Sequence, residues 1–191
     1  MMTVVEVKFN SFQLSDEQFF QLCQDNRDLR LERNPKGDLI IMPPTGGKTG
    51  NSNGRITQQL FNWSDNNGTG IAFDSSTGFK LPNGADRSPD AAWIPLEKWQ
   101  ALTPQQKERF LPLSPDFVIE LMSPRDNIET ARKKMQEYLD NGTRLGWLIN
   151  RKTRQVEIYR QGQAVEILTN PESLSGENIL PEFSLNLTLI W

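Results

Sequence analysis

A chain of 191 residues with 36% hydrophobic and 24% charged side chains is long enough to bury a core without staples, and its single cysteine, Cys23, excludes an internal disulfide or a thiolate zinc site. Histidine is absent, which excludes Ser-His-Asp and Cys-His catalysis and imidazole metal sites; catalysis then rests on carboxylates, lysine, hydroxyls and a hard cation such as Mg²⁺. The net charge of −3 argues against a surface coated with nucleic-acid-binding charge, but 21 Lys and Arg leave room for a local basic groove.

In chain order, SDEQFFQLCQD (15–25) opens with Ser15 and Gln18 at capping-box spacing and predicts a short helix with Phe19, Leu22 and Cys23 on its core face. LRLER (29–33) and DLIIM (38–42) flank NPKG as a β-hairpin. MPPTGGKTGNSN reads as a loop ahead of a helix, RITQQLFNWSDN, whose Ile56, Leu60 and Trp63 share a face. GIAFD (70–74), TGFKL (77–81) and SPDAAWI (88–94) predict strands, and 97–110 one or two short amphipathic helices. FVIELM between two Ser-Pro pairs is a buried strand, and DNIETARKKMQEYLDNG (126–142) a helix started by Asp126 and stopped by Asn141-Gly142. RLGWLIN (144–150) is another buried strand, QVEIYR and AVEIL pair as a hairpin, and FSLNLTLIW docks on the body. No linker or repeat interrupts this series, so a single domain over 1–191 is expected. No apolar run approaches the roughly 20 residues of a membrane helix, and the N-terminus lacks a secretory pattern, which makes cytoplasm the expected location.

GGKTG (46–50) lacks the glycine spacing of a phosphate-binding loop and reads as a flexible glycine-rich segment, with Lys48 as a point charge. Glu120 is more informative. A carboxylate inside an apolar strand must be protonated, paired with a cation or bound to a metal, because an unpaired charge there costs several kcal/mol. Asp90 follows Ser88-Pro89 at a similar strand entry; it either caps that turn or, if the two strands are neighbours, joins Glu120 in an incomplete Mg²⁺ site. The following helix supplies a cation. At 100° per residue Ala131, Met135, Tyr138 and Leu139 form one apolar arc; Lys134 lies about 40° beyond its edge, Arg132 flanks the other edge, and Lys133 points to solvent. Lys134 can lay its stem on the core while its ammonium reaches a neighbouring site.

SPD at 88–90, IELMSP at 119–124, a helix carrying Lys134 and Tyr138 as KxxxY, and the GWLIN strand together resemble the PD-(D/E)XK superfamily of metal-dependent nucleases. More narrowly they resemble a large family of predicted restriction endonucleases abundant in cyanobacteria. The likeness extends from LERNPKGDLIIMPPTGG through TGFKLPNGADRSPDAAWI to LPEFSLNL. It implies a restriction-endonuclease-like α/β fold, with a central mixed β-sheet flanked by α-helices. It further implies Asp90 and Glu120 as metal ligands, and Lys134 as the catalytic lysine displaced onto the helix from the strand position that Met122 occupies. Glu32 would be a third acidic group. The implied activity is Mg²⁺-dependent hydrolysis of DNA phosphodiesters, with Mn²⁺ able to substitute, the Leu121 carbonyl as a further ligand, Arg125 and Lys48 as phosphate contacts, and a homodimer among the expected assemblies. Two rival readings stand beside it: a catalytically degenerate relative that binds DNA or a protein partner without cutting, and a purely structural Glu120–Lys134 ion pair.

Overall fold

The computed structural model describes residues 4–191. In chain order its elements are β1 (Val5–Val7), α1 (Asp16–Asp25), β2 (Arg30–Arg33), β3 (Leu39–Met42), α2 (Gly47–Asn67), β4 (Gly70–Asp74), β5 (Phe79–Lys80), β6 (Asp86–Arg87), β7 (Ala91–Pro95), α3 (Leu96–Ala101), α4 (Pro104–Lys107), β8 (Phe117–Met122), α5 (Ile128–Asp140), β9 (Leu145–Asn150), β10 (Gln155–Arg160), β11 (Glu166–Thr169), β12 (Ser173–Ser175) and β13 (Ser184–Asn186), followed by one 3-10 turn (Leu187–Leu189). Among these residues no helix is long and apolar enough to cross a membrane.

The strands form a mixed sheet ordered β11-β10-β9-β8-β7-β4, a sheet ordered β1-β3-β2-β6-β5, and the pair β12-β13. In the mixed sheet β8 and β9 run parallel and their neighbours antiparallel. The period of two sorts its residues onto two faces. Phe117, Ile119, Leu121, Trp147 and Ile149 pack with Ile56 and Leu60 of α2 and with Phe183, Leu185 and Leu187 of the C-terminal segment. Val118, Met122 and Leu148 pack instead with Met135 and Tyr138 of α5. Phe183 stacks on Trp147 at 5.9 Å, which is how the apolar C-terminus closes the first face. Gly146 lets α5 approach the second: a Cβ there would meet Met135 Cε at 2.5 Å.

Two predicted boundaries are corrected. The segment read as a loop, GGKTGNSN, is the beginning of α2, which starts at Gly47 with Gly46 as its N-cap. Its glycines and polar residues are poor helix formers, and tertiary bonds hold them. Arg151 donates to Thr49 Oγ1 at 2.5 Å and Ser52 Oγ at 3.1 Å, and the Ser52 hydroxyl donates to the Ile190 carbonyl at 2.9 Å. The second correction concerns α5, whose N-cap is Asn127, not Asp126. Asn127 Oδ1 accepts from the N–H groups of Glu129 and Thr130, whereas Asp126 Oδ2 accepts from Ser123 N–H in the preceding turn. The Ser15–Gln18 capping box forms at α1 as its spacing implies, and Cys23 is half-buried against the small cluster built on Phe19, Leu31 and Leu39.

Candidate active site

The chain passes from one large sheet to the other through Ser88-Pro89-Asp90, between β6 and β7. Proline fixes an extended path, and the crossing is pinned from β2: Glu32 Oε1 accepts from Ser88 N–H at 3.0 Å, and Arg30 Nη2 donates to the Ser88 carbonyl at 2.9 Å. Because Ala91 faces Ile119 in the antiparallel β7–β8 register, Asp90, one residue earlier, is set beside Glu120. Asp90 is buried, and each of its oxygens is engaged. Oδ2 accepts from Leu121 N–H at 2.8 Å; Oδ1 accepts from Asn53 Nδ2 at 3.0 Å and lies 3.4 Å from both Nη atoms of Arg30.

Glu120 shares the face of Val118 and Met122, toward α5. Its Oε1 forms an ion pair with Lys134 Nζ at 2.8 Å and accepts from the Tyr138 hydroxyl at 3.0 Å. Among the described residues no donor reaches Oε2. Lys134 also meets Glu32 Oε1 at 2.8 Å, so one ammonium from α5 bridges acids from two sheets. Glu32 Oε2 accepts from Arg87 Nη1 at 3.0 Å, and Arg87 Nε donates to Glu137 Oε2 at 2.6 Å.

These contacts separate the two acids electrostatically. Burial, with the charges of Asp90 and Glu32, outweighs Lys134 and pushes the Glu120 carboxyl up to about 7. Burial also works against ionised Glu32, but Lys134, Arg87 and the Ser88 N–H prevail and hold it at about 2. Lys134 is likewise raised: desolvation opposes its charge and is overcome by Glu120 and Glu32. Neighbouring acids pulled in opposite directions are a recurrent signature of functional sites.

Asp90, Glu120, Lys134 and Glu32 are thus brought together. Lys133 is exposed, and Arg132 is engaged elsewhere, with Glu157. Lys48 and Arg125 are both exposed and make no ion pair among the described residues; the Thr45–Ser123 hydroxyl contact of 3.4 Å ties their two segments together. Leu121 meets Asp90 through its N–H. Arg30 and Asn53 were missed. The period of two on β2 does place Arg30 on the face of Glu32, so a signal for it existed. Nothing in a polar glycine-rich stretch marks Asn53.

The donor set suits a hard cation. Asp90 and Glu120 offer carboxylate oxygens, with Glu120 Oε2 still without a donor, and Mg²⁺ characteristically takes one or two carboxylates and fills its remaining positions with water and substrate phosphate. Among the described residues there is no group of three or more acidic, cysteine or histidine side chains arranged as a complete metal cage.

A family model named Uma2 and described as "putative restriction endonuclease" matches residues 16–188. The fold resembles a crystal structure described as a putative nuclease belonging to DUF820 from Anabaena variabilis, with a TM-score of 0.76 at 20% sequence identity, over 93% of this chain and 97% of that one. No curated protein matches the chain.

Proposed function

The chain belongs to the Uma2 family of putative restriction endonucleases, and from that membership and the acids gathered around Lys134 we propose that it hydrolyses DNA phosphodiester bonds with a divalent cation held by Asp90 and Glu120. Mg²⁺ is the cation this donor set favours, and Mn²⁺ can replace it. The observation that carries the reading is Glu120: a carboxyl pushed up by burial, bonded among the described residues through one oxygen, beside a second carboxylate at the entry to the neighbouring strand.

When bound, a divalent cation there supplies Lewis acidity toward the phosphate and lowers the pKa of its water. The protein groups have separate tasks. Leu121 N–H fixes the orientation of Asp90 through Oδ2. Lys134 favours the ionised, ligating form of Glu120. Its ammonium has three donors, of which Glu120 and Glu32 take two, leaving one to orient an attacking water or to meet charge that develops on phosphate. Glu32, anchored by Arg87 and Ser88, keeps that ammonium in place. Lys48 and Arg125, on segments tied through Thr45 and Ser123, serve as backbone phosphate contacts. A second copy of the chain would bring a second such site for the opposite strand.

The rival reading, a relative that binds without cutting, is favoured by one observation: Lys134, Arg87 and Arg30 pair Glu32, Glu120, Glu137 and Asp90 within the chain itself. Purified protein incubated with plasmid DNA and Mg²⁺ or Mn²⁺ decides. We expect nicking or cutting by the wild type, falling at least about 100-fold in Asp90→Asn, Glu120→Gln and Lys134→Met, the scale on which loss of an electrostatic catalytic group is felt. DNA that is bound but left intact, with affinity unchanged in Asp90→Ala, establishes the rival. Calorimetry showing no Mn²⁺ binding at millimolar metal leaves only a structural ion pair.

A further inference from the structure

One cation of the cluster is left without a task by the chemistry above. Arg30 leaves β2 on the face of Glu32, and its guanidinium lies against Asp90, but its bonding there is incomplete. Nη2 donates to the Ser88 carbonyl at 2.9 Å, both Nη atoms approach Asp90 Oδ1 only to 3.4 Å, and Nε is buried with no acceptor among the described residues. Charge-assisted N–H···O bonds ordinarily close to about 2.7–2.9 Å. Other arginines at this end of the sheet do so: Arg33 meets Asp86 at 2.7 Å, and Arg87 meets Glu137 at 2.6 Å. Of these three, only Arg30 is held loosely by its carboxylate. Its side chain is 33% exposed, so part of it is reached from solvent although Nε is buried, and the acids Asp90, Glu120 and Glu32 keep it charged against the cost of burial.

We propose that Arg30 is the receptor for the phosphodiester group at this site, resting on Asp90 until a divalent cation takes that carboxylate. The proposal depends on the nuclease reading above. A guanidinium presents five N–H donors in a planar fork that matches phosphate oxygens, and Arg30 spends only one of them in a bond of normal length. Pinning the strand crossing requires that one bond to Ser88 and no more. Once a cation neutralises Asp90 and Glu120, Arg30 loses its counter-charge, and a phosphate oxygen is the group that restores it.

The test uses Arg30→Met and Arg30→Lys in the full chain, with folding checked by circular dichroism. Mn²⁺ affinity is measured by calorimetry, and affinity for a labelled mixed-sequence DNA duplex is measured in Ca²⁺ over a range of salt. Arg30→Met is expected to bind Mn²⁺ about tenfold more tightly, because Asp90 no longer has a resident cation to displace, and to lower the slope of log affinity against log salt by about 1, the signature of one lost phosphate contact. Arg30→Lys, which keeps the charge but not the fork, is expected to keep the slope and lose about tenfold in DNA affinity; it alone decides if Arg30→Met does not fold. DNA affinity and salt slope equal to wild type in the folded variants overturn the proposal and reduce Arg30 to a pin for the crossing. A wild type that binds no Mn²⁺ overturns the metal-site reading, and this inference falls with it.

Discussion

Two glutamates occupy the same row of the mixed sheet. Glu120 on β8 and Glu157 on β10 are both register partners of Leu148 on β9, so they stand on one face roughly 10 Å apart along the hydrogen-bonding direction. Each has a cation from α5 and a tyrosine hydroxyl, and there the likeness ends. Arg132 Nε reaches Glu157 Oε1 at 3.0 Å and Oε2 at 3.1 Å, Nη2 adds a bond to Oε1 at 2.6 Å, and Tyr159 donates to Oε2 at 2.7 Å. Burial opposes that carboxylate, but these donors hold its pKa below the ordinary value. Glu120, by contrast, uses one oxygen, shares its lysine with Glu32, faces Asp90 and is pushed up. Glu157 is a completed ion pair; Glu120 is one member of a cluster with an acceptor to spare.

The largest break between the two comes from removing the cations. Lys134→Met deprives two buried acids of one shared partner and is expected to lower stability by about 3 kcal/mol, as for other buried pairs cut on one side. Arg132→Met should shift the urea midpoint by visibly less, since Tyr159 and solvent remain to Glu157. Equal shifts would erase the distinction.

Protonation sharpens it next. For Glu120 the folded-state pKa lies above the unfolded one, so its stabilising contribution is present below about pH 4.5 and is lost as pH rises through about 7. For Glu157 and Glu32 the shift is downward, and stability is lost as pH falls below their ordinary range. Unfolding measured between pH 4 and 8 should therefore show a decline with rising pH, on the order of 1 kcal/mol or more, that Glu120→Gln reduces and Glu157→Gln leaves in place, the smaller remainder coming from Asp86 and Asp126, which burial also pushes up. A decline unchanged in Glu120→Gln would mean another group titrates.

The smallest effect is that of a single hydroxyl. Tyr159→Phe removes one bond, about 1 kcal/mol, and because Arg132 still meets both oxygens of Glu157 the pH profile above 4.5 should be unmoved. The same denaturation series measures it, and a changed profile would show that Glu157 depends on that hydroxyl for its charge.

Sequence patterns exposed much of this arrangement where the pattern was local. Glu120 stands out because a charge interrupts an apolar strand, Lys134 because helical spacing sets it at the edge of a buried arc, and the capping box at Ser15 because its partner is three residues away. Arg30 was legible only by following the alternation of β2 from Glu32. The pair Arg132–Glu157, the Arg87–Glu137 bond and the reach of Asn53 to Asp90 were not legible, since each joins residues whose spacing along the chain carries no periodic signal. The start of α2 was hidden for a related reason: its glycine-rich first turns are held by Arg151, about 100 residues away in sequence, and local propensity pointed to a loop.

What the sequence by itself determined is the identity of the elements and the chemistry open to them: alternation and helical spacing are properties of neighbouring residues, and a chain without histidine confines any catalysis to carboxylates, lysine, hydroxyls and a hard cation. Which acid is spare and which is saturated was decided only in the folded chain. That depends on how many donors converge on each oxygen from strands and helices far apart in sequence, and on how much water their packing excludes.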